Sequence, residues 1–103
     1  METSILFSGS SASGKTFRMK QILSKCKKSV VKEVSPKAFL SIPTEKLNPK
    51  RIYAIDEVVN LSQVSEINNR ISQFDLKVIA ATQLSSVELL SQPLENFAFV
   101  FLH

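Results

Sequence analysis

Gly9-Ser10-Ser11-Ala12-Ser13-Gly14-Lys15-Thr16 contains both glycines of the chain, and its residue types are those that hold phosphate. Two glycines separated by four residues and followed by Lys and a hydroxyl residue have the spacing of a phosphate-cradling loop. The glycines let the backbone turn where a Cβ would clash, and let its N–H groups close around phosphate oxygens. Lys15 can reach the β- and γ-phosphates of a nucleotide, and Thr16 can set its hydroxyl on Mg²⁺. All eight residues, Gly9 to Thr16, are therefore expected to bind nucleotide.

Two further groups could complete that chemistry. Asp56-Glu57 ends an apolar run, where carboxylates emerge at the C-terminal edge of a parallel sheet. Asp56 is expected beside Thr16 as a metal-holding carboxylate, and Glu57 as the base or water-positioner for attack on the γ-phosphate. The same acidic pair would also suit the N-terminus of the helix that follows. Gln83 comes straight after another apolar run, which places Thr82 or Gln83 near the γ-phosphate or the attacking water. An amide donates and accepts at once, as a phosphate sensor must.

These residues need elements to position them. Ser4 to Ser8 reads as a buried strand, and Met19, Ile22, Leu23 and Cys26 share one face of a helix over Phe17 to Cys26. Strand, glycine turn and helix then follow in the order that aims a helix N-terminus at phosphate. Ser29 to Val34 reads as a second strand, bounded by Ser35-Pro36. Three of the four prolines fall between Pro36 and Pro49, an irregular crossover with a short helix around Lys37 to Leu40.

Arg51 to Ile55 reads as a third strand running into Asp56-Glu57. Leu61 to Phe74 is helical, with Val64, Ile67, Ile71 and Phe74 on one face. Val78 to Ala81 makes a fourth strand, Ser86 to Leu90 a short helix, and Phe97 to Leu102 a fifth strand. Apolar strands alternating with helices predict a mostly parallel sheet covered on both faces. With no glycine outside the phosphate loop, the other turns are expected to avoid glycine-only backbone angles.

The 103 residues, 44% hydrophobic and 21% charged, fit one soluble domain spanning 1–103. No apolar run reaches the length of a membrane span and no signal-peptide pattern opens the chain, so a cytoplasmic setting is expected. One cysteine and one histidine exclude an internal disulfide and a Cys/His metal centre; Cys26 is expected to pack in the helix. Net charge +4 permits a nucleic-acid partner. Lys25, Lys27 and Lys28 crowd the expected end of the first helix, where cations also complement the helix dipole.

The three motifs together resemble the additional-strand, catalytic-glutamate division of P-loop NTPases, with Gly9 to Thr16 as Walker A and Ile52 to Glu57 as Walker B. That resemblance implies a three-layer α/β core, a five-stranded sheet in the order 5-1-4-3-2, ATP and Mg²⁺ as cofactors, and assembly into a homo-oligomer. Asn69-Arg70 through Thr82-Gln83, with Leu94 to Phe99 behind, is similar to the FtsK–HerA group of DNA pumps, which includes viral genome-packaging ATPases. Leu84-Ser85 departs from the Arg-Pro that often follows Thr-Gln there. The resemblance implies an ATPase that works on DNA, with an arginine finger taken from a neighbouring subunit; Arg70 is the candidate, a surface ion pair being its competing role. A nucleotide or small-molecule kinase and a non-catalytic ATP-binding assembly subunit stay open as alternatives.

Overall fold

In the computed structural model, which describes residues 4–10 and 13–102, apolar runs and amphipathic stretches alternate as strands and helices. They are β1 (Ser4–Ser8), α1 (Lys15–Leu23), β2 (Val31–Val34), α2 (Pro36–Ser41), a 3₁₀ turn (Thr44–Lys46), β3 (Ile52–Val58), α3 (Leu61–Phe74), β4 (Lys77–Thr82), α4 (Ser86–Leu90) and β5 (Phe97–Phe101). The strands form one sheet in the order β2-β3-β4-β1-β5. Each neighbouring pair is parallel. Read from the other edge this is 5-1-4-3-2, the order expected from the sequence.

β4 lies at the centre, and Val78 to Thr82 are buried without interruption, as a strand covered on both faces must be. Strand alternation divides the core in two. On one face Leu6, Tyr53, Ile55, Val78 and Ala80 pack with Phe39 of α2, Val64, Ile67 and Ile71 of α3, and Leu89 of α4. On the other, Phe7, Ile52, Ala54, Ile79 and Ala81 pack against Met19 of α1, with Ile22, Leu23 and Cys26 partly buried beside them. One helix covers the second face and three cover the first.

Boundaries differ from the expectation most at α1, β2 and β3. α1 starts two residues earlier and ends at Leu23, where bonds from the Lys25 and Cys26 N–H groups to the Ile22 and Leu23 carbonyls tighten the chain into a turn. Lys25, Lys27 and Lys28 therefore lie beyond α1, exposed, rather than in its last turn. Ser29-Val30 belongs to the turn before β2, held by a bond from the Val30 N–H to the Lys27 carbonyl. β3 runs on through Asp56 and Glu57 to Val58, so the acidic pair is strand, and the helix-terminus alternative does not hold.

Glu57 (φ 57°) and Asp75 (φ 52°) occupy the left-handed region without being glycine. Asp75 closes α3, its N–H bonded to the Ile71 carbonyl, and a short side chain tolerates that conformation. Glu57 is less tolerant and sits at a bulge, where the β3–β4 register shifts between Ile55 and Val58. Ile55 and Val58 both pack in the α3-side core, although three residues apart, a parity that one extra residue in the strand permits.

Candidate functional site

The two glycines of the phosphate loop have separate jobs. Gly14 has φ +85° with open space around it, so its need is conformational. At Gly9 a Cβ would lie 2.5 Å from Ser13 Oγ and 2.8 Å from the Leu102 carbonyl oxygen, so its need is room. The loop is tied to the sheet by the Gly9 N–H, which donates to the Thr82 carbonyl (3.2 Å). Within it, the Ser13 N–H and Oγ both donate to the Ser10 carbonyl. Ser11 and Ala12 lie outside the described residues.

α1 leaves the loop without a side-chain cap and with no acidic residue in its first turn. α2, α3 and α4 are capped by Ser35, Asn60 and Ser85. The free N–H groups and positive dipole end of α1 are thus available to an anion. Lys15 is the first residue of α1; its ammonium donates to the Ser10 carbonyl at 2.9 Å, and its stem is buried. The cation is held over the loop that the motif assigns to phosphate.

The bulge in β3 sends the two acidic side chains to different neighbours. Asp56 turns toward α1, its Oδ2 3.5 Å from Thr16 Oγ1, while its Oδ1 accepts the Glu57 N–H at 2.9 Å. Glu57 lines a cavity of about 270 Å³ with Lys15, Gln83, Leu84 and Glu88. Lys15, Glu57 and Gln83, up to 68 positions apart in the numbering, thus share one cavity, while Thr16 and Asp56 line a second one with Met19, Glu33 and Ser35.

The donor set fits Mg²⁺. A hydroxyl and one carboxylate are hard oxygen ligands, and Mg²⁺ is ordinarily held by one or two carboxylates with waters and substrate phosphates. Among the described residues there is no cluster of three or more His, Cys, Asp or Glu that could hold a metal.

Arg70 does not line the cavity of its own chain. Its guanidinium donates to the carbonyls of Phe39 (3.1 Å), Leu40 (3.0 Å) and Ile42 (3.0 Å) and lies 5.9 Å from the Phe39 ring centroid. Those carbonyls belong to the C-terminal end of α2, where helix geometry leaves acceptors without partners. Arg70 therefore closes α2, a task that neither the finger nor the ion-pair reading anticipated.

One residue that lines the cavity was missed from the sequence. Glu88 lines the cavity while completing a capping box with Ser85; Ser85-x-x-Glu88 is its sequence signal. Thr82 is fully buried, so it does not face the cavity; of the two residues expected there, Gln83 is the one that lines it.

No protein-family model matches this chain, and no curated protein matches it. Solved structures do, 12 chains among them. The chain of DnaA from Aquifex aeolicus with AMPPCP bound aligns at TM-score 0.61 and 18% identity, over 100% of this chain and 41% of that one. A katanin chain, from a study of katanin self-assembly, aligns at TM-score 0.51 and 21% identity, over 96% of this chain and 40% of that one. This chain therefore spans about two fifths of either. With the strand order and the glycine loop between β1 and α1, that likeness establishes the three-layer α/β fold of P-loop NTPases.

Proposed function

We propose that this chain is a Mg²⁺-dependent nucleoside triphosphatase that binds ATP at Gly9 to Thr16 and hydrolyses it to drive a mechanical task. The observation that carries this reading is the shared cavity of Lys15, Glu57 and Gln83, with Thr16 and Asp56 3.5 Å apart beside it. The likeness to an AMPPCP-bound chain supports a nucleotide as ligand.

The loop N–H groups and the α1 N-terminus bind the phosphates, and the Lys15 ammonium leaves the Ser10 carbonyl for the β- and γ-phosphate oxygens. Thr16 and Asp56 would hold Mg²⁺, which neutralises charge on the phosphates. Glu57 accepts the proton of the attacking water, and the Gln83 amide orients water and γ-phosphate together.

Self-assembly, named for katanin, supports a homo-oligomer as the working form. DNA as the polymer acted on is supported by the net charge of +4 and by the FtsK–HerA resemblance, although the arginine in that resemblance has a structural task here. An ATPase assay across protein concentration, with and without DNA, tests the whole reading. Lys15→Ala should abolish binding or turnover, while Glu57→Gln keeps binding and loses turnover. Equal turnover in wild type and Lys15→Ala sinks it; phosphate appearing on a metabolite or nucleotide instead of in water favours a kinase.

A further inference from the structure

Thr82 is 0% exposed and bonds beside Glu57, beside Gln83 and to the phosphate loop. Its Oγ1 donates at 2.6 Å to the carbonyl of Val58, the residue after Glu57. The same oxygen accepts the Leu84 N–H at 3.1 Å, next after Gln83. Its backbone carbonyl accepts the Gly9 N–H at 3.2 Å, at the start of the phosphate loop. A hydroxyl has one proton and two lone pairs, so it can donate to Val58 and accept from Leu84 at once.

The bond to Val58 falls where the β3–β4 register shifts. The side chain thus bridges the two strands beside Glu57, which is held in a left-handed conformation that a glutamate adopts only under restraint. On the far side of Gln83 the restraint is doubled, because Ser8 Oγ donates to the Leu84 carbonyl at 2.6 Å. Both polar ends of Leu84 are therefore fixed, one by β4 and one by β1.

We propose that Thr82 is a positioning residue that holds Glu57, Gln83 and the phosphate loop in one register. Its catalytic consequence rests on the reading of Glu57 as base. Threonine suits the place better than its neighbours in shape or chemistry. Valine fills the same space without the two bonds, and serine makes both bonds without the methyl and with a freer χ1.

That contrast supplies the test. Thr82→Val should lower kcat on the order of tenfold to a hundredfold, the loss expected when a catalytic group is misplaced by about 1 Å, with the nucleotide Kd unchanged. Thr82→Ser should restore most of that kcat. A Thr82→Val protein that turns over like wild type overturns the proposal, as does Thr82→Ser failing as badly as Thr82→Val.

Amide hydrogen exchange on the wild type gives an arm that needs neither hydrolysis nor a folded valine variant. The Leu84 amide should be protected like those of β4, and an unprotected Leu84 overturns the proposal. If the wild type binds nucleotide without turnover, the reading of Glu57 falls, and protection of Leu84 in wild type and Thr82→Ser, lost in Thr82→Val, still upholds the register role.

Discussion

Gly9 and Gly14 meet different demands, so replacing each by alanine should do different damage. At Gly14 the added methyl finds open space but φ is +85°, so Gly14→Ala should lose about 1–2 kcal/mol of stability through backbone strain alone. At Gly9 the methyl would press on the Leu102 backbone carbonyl, which yields less than a side chain. Gly9→Ala should displace the loop from β5 and weaken nucleotide binding beyond its effect on stability; thermal melts and nucleotide titration of the two variants separate strain from displacement. Glu57 presents the reverse case, a side chain in a conformation that glycine prefers. Glu57→Gly should abolish turnover while leaving stability unchanged or higher by up to about 1 kcal/mol, the strain relieved being offset by glycine's larger entropy loss. A melt that falls by several degrees would show that φ at this position is not strained.

α3 and α4 were legible to the residue because a 3.6-residue apolar period and a capping serine or asparagine are local signals. The bulge in β3 was not, since the conformation of Glu57 is imposed by pairing with β4 and no neighbouring residue encodes it. Arg70 shows the same limit: the carbonyls it closes lie 28, 30 and 31 residues away, beyond any periodicity or motif. The site followed a similar division. That Lys15, Glu57 and Gln83 share a cavity and that Thr16 meets Asp56 could be expected because chemistry restricts their types and spacing, while the burial of Thr82 could not, because it depends on which strands become neighbours. At this scale Arg70→Ala should unfasten α2 and cost on the order of 2–3 kcal/mol, as expected for charge-assisted bonds to half-buried acceptors. Turnover per folded molecule should hold, and a large loss of turnover without loss of stability would return Arg70 to a catalytic role.

Across the whole molecule, the sheet is covered unevenly, by α1 alone on one face and by three helices on the other. Met19 is the most buried side chain that α1 contributes to its core, and Met19→Ala should cost about 2–5 kcal/mol, measurable as a shifted denaturation midpoint. Among the described residues no helix is long and apolar enough to cross a membrane. The strand order has a further consequence, for the route by which the chain folds. β1 carries the phosphate loop, yet it pairs with β4 and β5, where Ile5 faces Ile79 and Ala98. Pairings between residues so far apart in sequence form slowly, because the loop-closure entropy precedes the contacts that offset it. Under the proposed function, the residues assigned to nucleotide come together only when β4 lies between β1 and β3, so early folding species lack the complete site. ATP should accordingly slow unfolding and leave the refolding rate untouched, a split that stopped-flow measurements with and without nucleotide would read directly. Ligand capture becomes a seal on a completed fold, applied after the last strand is in place.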